Sequence, residues 1–181
     1  LNACAAILAA SNLSIPLKFI KDALGKFEGV ARRFTRIGFF NGATIIDDYA
    51  HHPAEIKAVI SAAKEIAKRR IIVVHQPQRF SRLKLLFTDF RKCFRDADLV
   101  GITPVFAAGE PQIGGIDSKT LINSVIRSGT QKVEYVENEA SFSRFLKNNC
   151  NEGDIFLTLG AGSITSWVNS LPFLANNPGH D

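Results

Sequence analysis

Cysteine, tryptophan and methionine are scarce in this sequence of 181 residues, which has three cysteines, one tryptophan and no methionine. Cys4, Cys93 and Cys150 are far apart, and no C-x-x-C pair is present. This spacing argues against a disulfide framework or a zinc site and favours a reducing cytoplasm. Long apolar runs are also missing, since segments such as Ile71 to Val74 are only of strand length. We therefore expect no membrane span, and the opening residues lack the basic region of a signal peptide.

The sequence also lacks a phosphate-binding loop of the form G-x-x-x-x-G-K-[ST], the usual signature of a P-loop ATPase domain. The chain begins with Leu1 in what reads as the middle of a helix, and it has no methionine start. Together these features predict a fragment or an excised domain of a longer protein.

The composition is otherwise that of an ordinary globular domain, with 46% hydrophobic and 22% charged residues. A net charge of +5 and a pI of about 9.3 favour anionic ligands. The basic residues are dispersed, and Lys68-Arg69-Arg70 is the tightest run. We interpret that run as a solvated helix end, because a nucleic-acid surface would require a larger basic cluster.

Hydrophobic periodicity predicts an α/β fold: a Rossmann-like, mainly parallel sheet with flanking helices, preceded by a short helical segment. Two helices are predicted before Ala31, and Asn41-Gly42 predicts a hairpin between strands at residues 34–40 and 43–47. From Pro53 onward helices alternate with strands, which is typical of βαβ units. One of these helices should be continuous, because its apolar stripe runs through Leu83, Leu86, Phe87, Phe90 and Phe94.

The segment Asp47-Asp48-Tyr49-Ala50-His51-His52-Pro53 combines two carboxylates and two imidazoles at the junction of a strand and a helix. Pro53 suits the first position of a helix, where a missing N–H has little cost. In open α/β sheets, anionic ligands bind where a strand's carboxyl end meets a helix N-terminus. Aspartates that turn the chain and histidines that cap the helix are the alternative interpretation.

Four polar segments each follow a predicted strand directly: residues 47–52, 76–82, 106–110 and 160–163. Because the carboxyl ends of parallel strands share one edge of the sheet, these segments should converge in space. Arg79 and Arg82 are three residues apart, so both guanidiniums can point to one side and bind a carboxylate. A solvated basic turn is the alternative for these two arginines.

These segments, in this order, resemble the UDP-N-acetylmuramate–L-alanine ligases, the MurC-type family of Mur ligases. The segment around Asp47 is similar to the signature of the family's C-terminal domain. Phe27–Phe34 resembles its Arg-Arg-Phe segment, and Gln76–Arg82 its Gln-Pro-His-Arg-(Tyr/Phe)-Ser-Arg segment. Val105–Glu110 and Leu159–Ser163 follow in the family's order. The opening Leu-Asn-Ala is similar to the tail of the family's central ATPase domain.

The resemblance implies three parts: residues 1–31 end the ATPase domain, residues 32–173 form the C-terminal domain, and residues 174–181 are a tail. It implies a cytoplasmic ligase of peptidoglycan synthesis that serves cell wall biogenesis, cell shape and cell division. ATP and Mg²⁺ would be its cofactors, with the metal ligands mainly in the ATPase domain. Its partners would be UDP-N-acetylmuramate, L-alanine, ATP and the family's N-terminal and central domains, without nucleic acid or membrane.

In the family's reaction, ATP phosphorylates the muramyl carboxylate, and the amine of L-alanine attacks the acyl phosphate to give an amide, ADP and phosphate. The resemblance places ATP near Asn2, Arg33, Asp48 and Tyr49, and L-alanine near His51, Arg79 and Arg82. It assigns no catalytic or metal-binding residue to this chain, which should therefore be catalytically silent by itself.

Four further expectations concern individual positions or short segments. The family match favours Asp48 over Asp47 as the nucleotide contact, although strand alternation is ambiguous by one residue at the end of a strand. Arg32 is interpreted as a surface charge. Gln78 stands where the family usually has histidine, so a role that needs an imidazole there is in doubt. Gly160–Ser163 fits either an anion-binding loop or close helix–strand packing.

Three competing functions remain open. A sibling ligase that attaches an intact tripeptide also carries the aspartate pair and Ala-His-His-Pro, but it generally has phenylalanine at the position of Tyr49 and an Arg-Ser-Asn-Thr-like string in place of Arg79–Arg82. A nucleotide-binding module without catalysis is the second. The third is a metal-binding protein that uses Asp48, His51 and His52, which is disfavoured because adjacent histidines chelate one ion poorly.

Overall fold

The computed structural model describes residues 2–27, 29–130 and 132–171. The chain divides into two compact units, and the boundary in the sequence lies between Ala31 and Arg32. The first unit contains α1 (Asn2–Asn12) and α2 (Leu17–Gly25). Ile20 is the one buried hydrophobic residue among its described residues. Most of its large apolar side chains are exposed, namely Leu8, Leu13, Ile15, Leu17, Phe19, Leu24, Phe27 and Val30.

The second unit opens with the predicted hairpin, in which β1 (Thr35–Phe40) pairs antiparallel with β2 (Ala43–Asp48). Asn41 has φ of 50° and Gly42 has φ of 76°. Positive φ at both central residues is what a type I′ turn requires. The hairpin prediction is therefore confirmed. The hairpin is caused by its two turn residues and not by distant parts of the chain.

Four parallel strands complete the sheet: β3 (Ile71–His75), β4 (Leu99–Ile102), β5 (Val133–Tyr135) and β6 (Ile155–Leu159). Their spatial order is β1-β2-β6-β3-β4-β5, and β1 is the one antiparallel strand among the described residues. The predicted mainly parallel α/β fold is confirmed. The helices that connect the strands are α3 (Pro53–Ile66), α4 (Phe80–Leu85), α5 (Phe87–Phe90), α6 (Ser118–Arg127) and α7 (Glu139–Asn149), and α8 (Ile164–Asn169) follows β6.

The prediction of one continuous helix through Leu83 and Phe94 was wrong. The structure interrupts it at Leu86, where φ is −108° and ψ is 20°, and turns replace the helix after Phe90. Leu83, Phe90 and Phe94 are nevertheless fully buried, so the apolar stripe was read correctly. The segment contains neither glycine nor proline, so its sequence carries no strong sign of the break. Throughout the described parts of the chain, no helix is long and apolar enough to cross a membrane.

The sheet is buried on both faces. Ile46, Val73 and Leu157 belong to the hydrophobic cluster on one face, and their strand neighbours Ile45 and Phe156 belong to the cluster on the other face. Successive side chains of a strand point to opposite faces, so apolar runs are expected where helices cover both. Polar side chains of the central strands therefore gather at the strand ends.

One such group lies where β3 and β6 begin, at their amino ends. Asp154 has a side chain with no exposed surface and forms a two-point ion pair with Arg70, with atom distances of 2.5 and 3.2 Å. Its carboxylate also accepts the backbone N–H groups of Arg70, at 3.3 Å, and of Asn151, at 2.9 Å. Burial opposes ionisation, but these donors prevail and lower the pKa of Asp154. The pair ties the start of one central strand to the start of the other.

Candidate functional site

The four polar segments converge at the carboxyl edge of the sheet, as expected. The strand order places the loops after β2, β6, β3 and β4 side by side. The Gly160 amide donates to the Asp48 carbonyl at 3.2 Å, and the Arg79 amide donates to the Phe106 carbonyl at 2.9 Å. Each of these hydrogen bonds joins loops that are distant in sequence, so the edge is a continuous surface.

Gln76, directly after β3, links the loop after β3 to the loop after β6. Its side-chain oxygen accepts the Ile164 N–H at 3.1 Å, and its amide nitrogen donates to the Ser163 hydroxyl at 3.1 Å. Gln76 is only 3% exposed, so both of its polar groups need internal partners. No role is predicted for Gln76 from the sequence, and in the structure it holds the start of α8 against β3.

Gly162 shows why the loop after β6 is rich in glycine. A Cβ atom at this position would lie 2.4 Å from the Gln76 side-chain oxygen and 2.6 Å from Cγ of Phe106. These distances are shorter than van der Waals contact, so a side chain would displace its neighbours. Of the two interpretations of Gly160–Ser163, the structure favours close packing.

We expect Gly162→Ala to lower the free energy of unfolding by about 1–2 kcal/mol, because overpacking forces neighbours out of place. Urea unfolding of the chain measures this change. Gly114→Ala is the matched control, since a Cβ there meets no atom within 4 Å. Equal unfolding midpoints for the two variants would show that the loop absorbs the extra methyl group and that the close contact is unimportant.

Asp47 lies at the buried end of β2, with its side chain 3% exposed. One carboxylate oxygen accepts hydrogen bonds from the hydroxyls of Thr158, at 2.9 Å, and Thr165, at 3.4 Å. The other lies 3.4 Å from Nε of Arg32. Burial raises the pKa of Asp47, against the opposing effect of Thr158 and Arg32. This carboxylate is therefore part of the interior of the site.

Arg32 is not the surface charge that its sequence position predicts. Its side chain is 27% exposed. Its Nη2 donates to the Gly160 carbonyl at 2.5 Å, and its guanidinium lies 4.7 Å from the ring centroid of Tyr49. A signal for this role was present in the sequence, because an aspartate that ends a buried strand needs a cation nearby.

Asp48 uses both carboxylate oxygens to hold the backbone. One accepts the Phe34 N–H and the other the Ala50 N–H, each at 2.7 Å. Asp48 is 4% exposed, and each oxygen keeps one further lone pair. Strand alternation does not separate Asp48 from Asp47, because β2 is buried on both faces. The assignment of Asp48 to the nucleotide stays a prediction.

Tyr49 and His51, which are half-exposed, form a cluster with the exposed Arg33 beside Arg32. The Arg33 guanidinium lies 5.8 Å from the Tyr49 ring centroid, and the His51 ring meets Tyr49 edge-on at 5.1 Å. Nδ1 of His51 is 2.9 Å from the Tyr49 carbonyl. A carbonyl only accepts, so Nδ1 carries the proton and Nε2 is the acceptor in the neutral ring.

His52, rather than His51, caps the helix. Its Nδ1 accepts the Ala54 N–H at 3.3 Å, while the Glu55 carboxylate accepts the backbone N–H of His52 at 3.2 Å. This reciprocal pair is a capping box that satisfies the first turn of α3. The alternative interpretation, in which the histidines cap the helix, therefore holds for His52. The ring of His51 is not part of this cap.

Arg79 and Arg82 lie together at the start of α4. Arg79 is exposed, and it takes a left-handed φ of 65° at the N-cap. Nη1 of Arg82 donates to the side-chain oxygen of Gln78 at 2.9 Å. The amide of Gln78, at the position where the resemblance leads us to expect histidine, thus orients an arginine.

Glu110, in the loop after β4, binds Ser81, which lies between the two arginines in the sequence. Its carboxylate accepts the N–H of Ser81 at 3.0 Å and the hydroxyl of Ser81 at 2.7 Å. These hydrogen bonds, together with the nearby charge of Arg79, lower the pKa of Glu110. The loop after β4 and the start of α4 are therefore coupled at the surface.

The site has two halves. Arg32, Arg33, Asp48, Tyr49 and His51 lie beside β2 and β6, whereas Arg79 and Arg82 lie beside β3 and β4. His51 was grouped with the two arginines, yet in the described residues no hydrogen bond or ion pair joins it to them. Asn2 begins α1, but its side chain is outside the described residues.

Two features limit the chemistry of the edge. The described residues include no group of three or more His, Cys, Asp or Glu side chains placed to hold a metal ion. His75, at the end of β3, is fully buried between Phe90 and Phe94, and burial lowers its pKa to about 3. It is therefore a neutral core residue and not an acid or base of the site.

The chain is similar in sequence to known proteins. Residues 32–162 match the family described as Mur ligase, glutamate ligase domain. The chain is 48% identical over 171 residues to a protein of Allorhizobium ampelinum named UDP-N-acetylmuramate--L-alanine ligase, covering 94% of the chain and 36% of that protein. A protein of the same name from Roseobacter denitrificans has the same identity and coverage. The chain thus spans about a third of the length of these relatives.

Solved structures show the same fold. The UDP-N-acetylmuramate-alanine ligase MurC of Thermotoga maritima superposes with a TM-score of 0.73 at 29% identity, covering 93% of this chain and 35% of that one. A murein peptide ligase from Psychrobacter arcticus superposes with a TM-score of 0.65 at 22% identity, covering 97% of this chain and 37% of that one. The second likeness concerns the fold alone.

Proposed function

Because the chain belongs to the Mur ligase family through its glutamate ligase domain at residues 32–162, we propose that it is the C-terminal domain of an ATP-dependent UDP-N-acetylmuramate–L-alanine ligase. The observation that carries the proposal is the 48% identity, over 94% of the chain, to proteins of that name. That coverage includes every loop of the carboxyl-edge site. The likeness to a peptide ligase is weaker, at 22% identity, which disfavours the tripeptide-ligase alternative.

In this proposal the chain forms one wall of a cleft and orients two substrates, while the phosphate loop lies in a preceding domain. The muramyl carboxylate attacks the γ-phosphorus of ATP, which releases ADP and gives an acyl phosphate. The alanine amine then attacks the acyl carbon, and phosphate leaves as the amide forms. Because the amine is held in line for attack, a bimolecular reaction becomes effectively unimolecular. This positioning is the chain's contribution to the reaction rate.

Arg79 and Arg82 bind the alanine carboxylate. Arg79 is exposed at the sheet edge, and Arg82 is oriented by Gln78. Guanidiniums bind a carboxylate by two parallel hydrogen bonds, which fixes the orientation of a small amino acid. His51 binds the same substrate through its Nε2. It is separated from the two arginines by the loop that follows β6.

The other half of the site serves the nucleotide, through Arg33, Asp48 and Tyr49. Asp48 retains acceptor capacity for ribose hydroxyls while it holds Phe34 and Ala50. Tyr49 and Arg33 offer a ring and a guanidinium plane, on which a base can stack. The family's pattern also assigns Asn2 to the nucleotide.

Residues 1–31 belong to the preceding ATPase domain in this proposal, residues 32–173 form the C-terminal domain, and residues 174–181 are its tail. The support is the exposed apolar surface of the first unit, which includes Leu13, 75% exposed, and Phe19, 62% exposed. So much apolar surface in water is unfavourable. It suits burial against the remainder of an ATPase domain.

Mg²⁺ would accompany ATP, but the carboxyl edge does not fit it, since its described residues form no metal-binding cluster. The metal ligands are assigned to the ATPase domain, and no step is assigned to the metal here. The enzyme would act in the cytoplasm in the synthesis of peptidoglycan precursors. Through that product it would serve cell wall biogenesis, cell shape and division.

A chimeric enzyme tests the function. In the Allorhizobium ampelinum relative, the matching segment is replaced by residues 1–181 of this chain, and ADP release is measured with ATP and UDP-N-acetylmuramate. We expect turnover that depends on L-alanine and not on a tripeptide. The chain by itself should show none. A second chimera carries only residues 32–181, and it should be at least as active, because it keeps the recipient's own ATPase domain intact.

The outcomes separate the hypotheses. Turnover with the tripeptide and none with L-alanine would identify the sibling ligase. Nucleotide binding without turnover by either chimera would favour a non-catalytic module. A second chimera that fails while the first works would place residues 1–31 with the C-terminal domain instead.

A further inference from the structure

Asp47 and Arg32 form a buried charge pair at the centre of the nucleotide half. The Asp47 side chain is 3% exposed, and its other partners, Thr158 and Thr165, are neutral hydroxyls. Arg32 is the one cation in ion-pair contact with it among the described residues. A buried carboxylate is costly without such a partner, so Asp47 determines where the Arg32 guanidinium lies.

The guanidinium of Arg32 makes contacts in three directions. Nε lies 3.4 Å from the Asp47 carboxylate, Nη2 donates to the Gly160 carbonyl at 2.5 Å, and Cζ lies over the Tyr49 ring, 4.7 Å from its centroid. The carbonyl of Arg32 also accepts the Tyr49 N–H at 2.8 Å. One side chain thus connects the end of β2, the ring of Tyr49 and the loop after β6.

Only arginine can make this set of contacts. Its donors are fixed in a plane, and the same plane stacks on an aromatic ring, whereas a lysine ammonium is a single point of charge. The neighbouring Arg33 is exposed and makes no contact of this kind with Asp47 or Gly160 in the described structure. Arg32 therefore supports the surface that Arg33 and Tyr49 present.

We propose that Arg32, held by Asp47, is a positioning residue that fixes the Tyr49 ring and the Gly160 carbonyl for nucleotide binding. This inference rests on the proposed function for its ligand. It assigns to Arg32 and Asp47 a task distinct from direct contact with either substrate. Loss of the pair should loosen the nucleotide half and leave the arginine pair at α4 intact.

A second ion pair in the same sheet provides a matched control for simple destabilisation. Arg70 and Asp154 also join a half-buried arginine to a buried aspartate, with side chains 36% and 0% exposed, but they lie at the opposite edge. The Arg70–Asp154 pair joins the start of β3 to the start of β6, whereas the Arg32–Asp47 pair joins the segment before β1 to the end of β2. A merely structural role for Arg32 would make the two pairs behave alike.

The experiment uses the active chimera that carries this chain, with Arg32→Ala, Arg32→Lys, Asp47→Asn and the control Asp154→Asn. We expect the first three to raise the KM for ATP roughly 10-fold and to change the KM for L-alanine less than about 2-fold. Asp154→Asn should lower the urea midpoint and leave both KM values unchanged. Arg32→Lys should not restore the wild-type KM for ATP.

ADP affinity, measured by calorimetry on the same proteins, keeps the test independent of turnover. If the unmutated chimera shows no L-alanine-dependent turnover, the proposed function fails, and a weaker ADP affinity in Arg32→Lys still supports the positioning role. Unchanged ADP affinity and KM for ATP in folded Arg32→Lys and Asp47→Asn would overturn the inference. Equal effects of Asp47→Asn and Asp154→Asn on the KM for ATP would also overturn it, because they would reduce the pair to a stabilising contact.

Discussion

Replacing Arg79 or Arg82 by alanine in the active enzyme is expected to lower kcat/KM for L-alanine roughly 10- to 150-fold and to spare the KM for ATP. The reason is the loss of a charge-assisted hydrogen bond, worth about 1.5–3 kcal/mol. Steady-state kinetics with each substrate varied in turn measures the effect. Arg→Lys should also be poor at both positions, because an ammonium does not make the planar two-point contact.

Arg144→Ala is the control for these variants. Arg144 is exposed on α7, away from the carboxyl-edge loops, so its loss should leave both KM values unchanged. Alanine kinetics that stay normal in both Arg79→Ala and Arg82→Ala would show that the substrate carboxylate is bound elsewhere. A defect only in Arg82→Ala would assign the contact to the arginine that Gln78 orients.

Replacing Asp154 by alanine is expected to lower the free energy of unfolding by about 3 kcal/mol at neutral pH. The change removes the carboxylate from the guanidinium of Arg70, which keeps only its hydrogen bond to the Asn149 carbonyl, and it leaves two backbone N–H groups without an acceptor. The value is at the low end for a broken buried pair, because Arg70 keeps 36% of its side chain in solvent. Urea unfolding measures it.

The pH dependence follows from the lowered pKa of Asp154. As the pH falls, the unfolded carboxyl group takes up a proton first, near its ordinary pKa of about 4. The contribution of Asp154 is therefore complete above that value and is lost as the pH falls through the folded pKa. The unfolding midpoints of wild type and Asp154→Ala should accordingly converge in acid.

Asp96→Asn is the matched control for the ion pair. Asp96 contacts Lys64 at 3.1 Å, but the two side chains are 49% and 64% exposed. Exposed pairs contribute about 0–1 kcal/mol, so this variant should unfold close to wild type. An Asp154 variant no less stable than the Asp96 variant would contradict the buried-pair interpretation.

Local signals determined most of the fold. Asn41-Gly42 formed its hairpin because two residues there accept positive φ without help from the rest of the chain. The alternation of strands and helices predicted the parallel sheet, and the rule that strand ends share one edge predicted that the polar loops would meet. The break at Leu86 was not predictable in this way, because no breaker residue marks it.

The roles of individual site residues depended on contacts between distant parts of the chain. Arg32 and the Gly160 carbonyl that it binds are 128 residues apart, and Gln76 and Ile164 are 88 apart. Nothing in the local sequence distinguishes Arg32 from Arg33. The sequence alone determined that charged loops would gather at one edge of a parallel sheet, because that follows from strand direction. Only the tertiary structure decided which arginine pairs with the buried Asp47, because a buried charge is paired by whichever cation the packed chain brings within reach.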